Sequence, residues 1–452
     1  PQAETAPLSG ADRITRSYQL DFTPGETIIN GGKFPAILAN NQFVSPTLRA
    51  NQGDLLEVAV HNGLNSELLI HWHGVHVPPN MDGAAGFNGV VPIKSGDSFT
   101  YRIPISQTGT YWYHAHGETQ EQLGIYGGLV FYPAGESFSE TDPKDHMIIL
   151  SDHAKETPEE IYQAFKAAHK KGEHESSDFY QLLINGKGTQ DNLTFTATPG
   201  EKIHLRLVNA AAMTMFQVAL DQNIPMTVVA ADGQPIKPVT VSSVILTNGE
   251  TRDVVITPYM AGKFKLSATE YSFDVMADMG DMDDMGAKKS VSATFATASG
   301  SKSVKAVKYD AKKFKALKDD NMIDAIPDRA AAPIPPARTI PVRLTGNMTE
   351  YEWTINDQIL DQGAPIKMAL GERIKIDFIN SSGMAHPMHL HGILFQPIGK
   401  NGALLSKRNT ILVKDGETRS VILTANQAGE WMLHCHLLYH QVAGMMTRVV
   451  VQ

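Results

Sequence analysis

The sequence predicts an all-β chain of three consecutive Greek-key β-sandwich domains, and three observations predict it. A Gly-acid pair, alternating apolar residues and an Asn nine positions after the Gly recur as Gly53-Asp54 to Asn62, Gly200-Glu201 to Asn209 and Gly371-Glu372 to Asn380. A second unit, a Gly-acid pair with another Gly thirteen residues on, follows each copy at Gly96/Gly109, Gly249/Gly262 and Gly416/Gly429. Apolar residues alternate between these turn glycines, as at Leu56, Val58 and Val60, which is the signature of short strands with one buried face. Units repeated in one order at matching spacing mean one module copied three times.

Taken in order, residues 1–140 make the first domain, 141–300 the second and 339–452 the third, with 301–338 as a linker between the last two. The linker starts lysine-rich, with Tyr309, Phe314 and Leu317 interleaved, and ends in a proline-stiffened Ala-Ala-Ala-Pro-Ile-Pro-Pro-Ala. One helix interrupts the β pattern. Thr157-Pro158-Glu159-Glu160 is a capping box with proline at the first helical position, and Ile161, Phe165 and Ala168 follow helix spacing up to Gly172, as on a surface helix. A net charge of −9 argues against nucleic acid and anionic membranes as partners. No apolar run approaches the ~18 residues of a membrane span, so a soluble protein is expected. The single cysteine excludes an intramolecular disulfide. The chain begins at Pro1 without a methionine, which fits a removed signal peptide or a truncated chain equally.

Chemistry concentrates in His434-Cys435-His436-Leu437-Leu438-Tyr439-His440, followed by Gly444-Met445-Met446. A thiolate, two imidazoles and a weak thioether are the donors of a blue-copper electron-transfer site, and Cys435, His440 and Met445 supply three of the four. Residues 429–434 read as a strand. Alternation then puts Trp431, Leu433 and Cys435 on one face and Met432, His434 and His436 on the other. The cysteine can hold metal inside its own domain while its neighbours hold metal outside it. The 17 histidines include four His-x-His pairs, His71/His73, His114/His116, His389/His391 and His434/His436, where chance gives roughly 0.6. His386, three residues before His389, faces the opposite side of an extended strand and completes the set around Cys435. Copper donors within such β-sandwiches mean the cupredoxin-like type. Five residues beyond the last repeat glycine stand His114, Ser267 and His434, so the middle module has the fold without the metal. Modules one and three are expected to face each other across the paired histidines, held in place by module two.

The segments HWHG (71–74), YHAHG (113–117), HPMHLHG (386–392) and HCHLLYH (434–440) together resemble the multicopper oxidases, the family of laccases and bacterial copper-resistance oxidases, and the resemblance covers the whole chain. It implies four copper ions per chain. A type 1 copper would be held by His386, Cys435, His440 and Met445, the last chosen over Met446 because the family's axial ligand stands ten residues after the cysteine. A type 2 copper would be held by His71 and His389. Of the type 3 pair, one ion would take His73, His114 and His436 and the other His116, His391 and His434. The resemblance further implies that phenolic molecules or Cu(I) give single electrons through the ring edge of His440 or His386, that Cys435 passes them to His434 and His436, and that O2 is reduced to water. A monomer exported to a periplasm or secreted is expected.

Asp82, eleven residues after His71, is expected to supply protons, as an acid at this position does in relatives; the plainer reading is a turn aspartate before glycine. Some bacterial relatives carry a glutamate where this chain has Gln441, which leaves the later proton path open. Met276, Met279, Met282 and Met285, interleaved with five aspartates between 274 and 284, form either a loop that binds Cu(I) through soft thioethers or a plain acidic loop. Related copper-resistance oxidases carry Met-rich segments. A different class of function, a copper-sequestering tolerance protein with incidental oxidase activity, would make that loop the working part. The other seven histidines are expected mostly on the surface or in loops.

Overall fold

In the computed structural model of the chain, the described residues are 13–117, 119–173, 175–259, 262–272, 288–297, 313–317, 335–360, 362–400 and 402–452. Their strands pair into six sheets, two to each of three β-sandwiches, so the cupredoxin-like all-β fold expected from the repeats is the fold observed. Each sandwich encloses its own core: around Leu56, Val58 and Ile70 in the first, Leu205, Phe216 and Val254 in the second, and Ile374, Phe378 and Trp431 in the third.

The repeated sequence units are strands with fixed places in each module. Thr15–Ile29 runs parallel to Leu55–Asn62, which pairs antiparallel with Ser98–Pro104. Asp145–His153, Ile203–Asn209 and Thr251–Ile256 repeat the arrangement, as do Arg338–Asn347, Arg373–Asn380 and Thr418–Thr424. The Asn ending each copy of the first unit is buried, and its side chain makes the same three bonds every time. Asn380 Nδ2 donates to the Met384 and Val413 carbonyls while its Oδ1 accepts from Ser382 N–H; Asn62 and Asn209 do likewise across their own turns. The strand opened by the second unit is Gly109–Ala115 in module one, Lys263–Tyr271 in module two and Gly429–Cys435 in module three. Its alternation aims every other side chain out of the sandwich.

The helix Pro158–Lys170 has the expected capping box between Thr157 and Glu160. It is not a free surface helix. Ile161 and Phe165 are buried in the third module's core, with Phe165 against Tyr439 at 5.3 Å between ring centroids, so the helix spans two modules. Within 301–338, Ala316–Leu317 adds a short parallel strand beside Ser243–Leu246, and Arg338–Asn347 opens the third sandwich. The Met/Asp segment with Met276, Met279, Met282 and Met285 lies outside the described residues. No helix among the described residues is long and apolar enough to cross a membrane. Of the seven remaining histidines His174 lies outside the described residues, and two of the other six depart from expectation: His153 and His169 are buried, because their strand and helix turn them toward the first and third modules.

Candidate metal centres

Alternation along Gly429–Cys435 separates two sites. Trp431, Leu433 and Cys435 point into the third module's core, while Met432 packs on Ala84 and Phe87 of the first module. His389 pairs with His434 across the sheet, and Met388 with Cys435. His386, at the start of the same strand, thereby reaches the cysteine.

At the cysteine, Sγ lies 3.5 Å from His386 Nδ1 and 3.8 Å from His440 Nδ1, and the two Nδ1 atoms are 3.1 Å apart. All three side chains are fully buried, as is Met445, whose backbone ties the loop shut: Cys435 N–H donates to Met445 O, and Met445 N–H to His440 O, each at 3.0 Å. The outer ring nitrogens have partners of their own. His386 Nε2 meets Ser382 Oγ at 2.6 Å and His440 Nε2 donates to Glu175 Oε1 at 3.2 Å, which leaves both Nδ1 atoms for the inner site. Burial pushes the Cys435 thiol far up, so its thiolate needs a cation beside it. Burial would also raise Glu175, yet hydrogen bonds from His169 and His440 hold its carboxyl well below the usual range.

The eight paired histidines converge between modules one and three. His71 and His114 face each other on neighbouring strands, and Nε2 atoms of His391 and His434 approach to 3.1 Å. Donor atoms of His116, His391 and His434 lie within 4.8 Å of one another, as do those of His71, His73 and His114, and of His71, His389 and His391. His436 joins them with its ring centroid 4.9 Å from His73 and 5.2 Å from His114. One nitrogen of most rings is fixed from behind: His71 Nδ1–H donates to Asp82 O, His389 Nδ1–H to Asn409 O, His434 Nδ1–H to Cys435 O, and His73 Nε2–H to Asn409 Oδ1. The nitrogens left buried without a partner are Nε2 of His71, His114, His116, His389 and His436, and Nδ1 of His73. Six orphaned lone pairs in one buried space would be costly unless a cation filled it. Burial lowers His114 and His116 to about 3 and the other six well below their ordinary value, which keeps the rings neutral and able to ligate. Neutral imidazoles with one buried thiolate are donors that suit copper.

Asp82 is no surface turn. Its Oδ2 accepts from His391 Nδ1 at 2.8 Å, Oδ1 is 3.5 Å from His71 Nδ1, and burial pushes the carboxyl up to about 8. Sequence reasoning missed three other contributors. Glu121 Oε2 lies 2.8 Å from His114 Nδ1; its place five residues after His116 was the available signal. Asn409 and Glu175 stand in segments without periodicity, and only the fold brings them to the sites. The second module also touches the cluster, since a Cβ on Gly249 would meet the His436 ring at 2.8 Å. Beside Glu175 a cavity of about 190 Å³ is lined by Met213, Met215, Met384, Glu270 and Leu437.

Three multicopper oxidase family models match residues 22–136, 144–284 and 333–452. Copper resistance protein A of Escherichia coli is 29% identical over 96% of this chain and 92% of its own length. The multicopper oxidase MmcO of Mycobacterium tuberculosis is 30% identical, covering 96% of this chain and 87% of that one. The fold is shared with the laccase from Botrytis aclada, at a TM-score of 0.79 and 23% identity over 97% of this chain and 88% of that one. It is likewise shared with the multicopper oxidase from Campylobacter jejuni, described as a metallo-oxidase, at a TM-score of 0.74 and 22% identity over 99% and 93%. A 30% identity carried across 96% of this chain, with the three models in order along it, makes the chain a member of the multicopper oxidase family.

Proposed function

We propose that this protein oxidises one-electron donors, Cu(I) in preference to phenols, and couples that to the four-electron reduction of O2 to water. One copper ion would be held by His386, Cys435, His440 and Met445, one by His71 and His389, and a pair by His73, His114, His436 and by His116, His391, His434. Copper bound there supplies one-electron exchange at the cysteine site and reduction of O2 at the histidine cluster.

The chain's own residues do the rest. The peptide units flanking Cys435 join the two sites through His434 and His436 by the shortest covalent path the chain offers. Burial keeps bulk water from the cluster and keeps its imidazoles neutral. Asp82, whose carboxyl burial pushes up to about 8, touches rings from both modules, which suits it to deliver protons where oxygen is reduced. Gln441 has no carboxyl to offer. Glu121, against His114, is the other acid touching a ring of the cluster among the described residues and is proposed for the later proton step.

The observation that carries the preference for Cu(I) is the complete burial of His440 beneath Glu175. A phenol has no ring edge to touch, whereas a small cation can approach through the adjacent cavity, where three thioethers and two carboxylates meet. Soft thioethers select cuprous copper. The Met/Asp segment 274–286 would collect ions for the same route. The protein is expected to work as a monomer exported to the periplasm. Oxygen uptake with Cu(I) and with a methoxyphenol, side by side, tests the proposal. Faster phenol turnover would reverse the order of donors, and no uptake with copper far above four per chain would favour sequestration instead.

A further inference from the structure

None of the histidines proposed to hold copper belongs to the second module, yet its hairpin tip Asp232-Gly233 lies where all three modules meet. Toward module one, a Cβ on Gly109 would run into the Gly233 carbonyl, and Gln234 Nε2 donates to Tyr111 Oη at 3.2 Å. Toward module three, Asp232 Oδ2 accepts from both Asn409 N–H and Thr410 N–H at 3.3 Å. Its Oδ1 is anchored at home by Thr251 N–H at 3.1 Å and Arg252 Nη1 at 3.3 Å. The carboxylate is fully buried, so each of these bonds acts in a low dielectric, where bonds to a charged acceptor are strong.

The two residues that Asp232 grips are those that orient the cluster from behind. Asn409 Oδ1 accepts from His73 Nε2–H at 3.1 Å, and the Asn409 carbonyl accepts from His389 Nδ1–H at 2.8 Å. Thr410 Oγ1 donates to Asn409 Oδ1 at 2.9 Å and stands 3.2 Å from His389 Nδ1. Because its Nε2 is engaged by Asn409, His73 offers Nδ1 to the cluster, whereas the other orphaned nitrogens are all Nε2. The bond to Asn409 therefore fixes which nitrogen His73 presents.

We infer that Asp232 is a positioning residue for the histidine cluster, acting through Asn409 and Thr410 on His73 of module one and His389 of module three. The second module is thus part of the metal site's scaffold and more than a spacer. Asp232 touches no ring of the cluster and no residue around Cys435, so its effect should be confined to the metals that His73 and His389 hold. The inference rests on the proposed assignment of those histidines as copper ligands.

The test is copper content and the type 2 electron paramagnetic resonance signal of copper-loaded Asp232→Asn, compared with the unaltered protein and with Asp145→Asn. Asp145 holds Arg206 within module two, and Arg206 Nη1 donates to Thr110 Oγ1 of module one, away from the cluster. A wild-type protein without a type 2 signal would overturn the ligand assignment itself. Given that signal, D232N should lose more than half of it and about one copper per chain while the blue absorption of the cysteine site stays, and D145N should lower the melting temperature with the signal intact. An intact signal in D232N, or an equal loss in D145N, overturns the inference. Should D232N not accumulate folded, Asn409→Ser keeps the backbone donors to Asp232 and removes the acceptor at His73. A full copper content in that variant, with the copper pair that His73 would help hold still silent in electron paramagnetic resonance, overturns the relay as well.

Discussion

Glu175 Oε1 lies 3.2 Å from His440 Nε2, so the ring edge that points away from Cys435 ends on a carboxylate and not on solvent. The same oxygen is 3.4 Å from His169 Nε2 on the helix that bridges modules two and three. Tyr351 and Trp353 close the remaining sides, Trp353 with its ring 4.5 Å from His440. Among the described residues, a donor approaching the outer edge of His440 meets Glu175 first.

Replacing Glu175 with alanine should therefore change the choice of donor. Losing one charge-assisted hydrogen bond and a cation-attracting carboxylate should cut kcat/KM for Cu(I) about 10-fold or more. A small methoxyphenol should gain, since the ring edge is uncovered. Oxygen uptake measured with both donors decides it: an equal fall for both would mean that Glu175 only holds the fold around His440.

Cys435→Ser should abolish the blue absorption and steady-state turnover, because the hydroxyl replaces the only thiolate and interrupts the route between the sites. The eight histidines keep their places, so about three coppers per chain should still load. Turnover retained by this variant would sink the wiring through Cys435.

Asn380→Ala should cost about 3 kcal/mol in chemical unfolding, since it strands the Met384 and Val413 carbonyls and the Ser382 N–H, each a buried group that loses its partner. The strapped turn also carries Ser382, which meets His386 Nε2 at 2.6 Å, so the blue band should shift or weaken. The equivalent changes at Asn62 and Asn209 should cost a similar amount without touching that band. A cost below about 1 kcal/mol at all three would show that water replaces the strap.

Those three asparagines also show what a sequence makes legible. Their spacing marked a module copied three times, because a strand that must end in the same turn keeps the same residue there. The same reasoning separated Cys435 from His434 and His436 by strand alternation alone, and the fold later placed them on opposite faces. What stayed hidden has contacts that cross modules. Asn409 is 336 residues from His73, and Glu175 is 265 from His440, and neither follows any local period. The helix Pro158–Lys170 was legible as a helix, but its apolar stripe did not say which module would bury it.

The joint between modules one and two should respond to acid in a defined direction. Arg206 Nε donates to Asp145 Oδ1 at 2.5 Å and Nη1 to Thr110 Oγ1 at 2.8 Å, with Asp253 Oδ2 at 3.6 Å from Nη1. Burial works to raise both carboxyls, but hydrogen bonds and charge from Arg206 at Asp145, and from His204 and Arg206 at Asp253, outweigh it and lower them. A carboxyl whose folded pKa lies below its unfolded value of about 3.9 stabilises the fold above that pH. The contribution disappears as pH falls through the lowered folded value. At pH 7, Asp145→Asn should thus cost about 1–2 kcal/mol, as expected when one partner of a half-buried, charge-assisted pair is neutralised. Below pH ~4 the wild-type protein loses the same advantage, and the melting curves of the two proteins should converge. A gap that stays constant down to the lowest pH at which both fold would mean that the loss in D145N comes from packing, and that the charge of this pair contributes nothing to the joint.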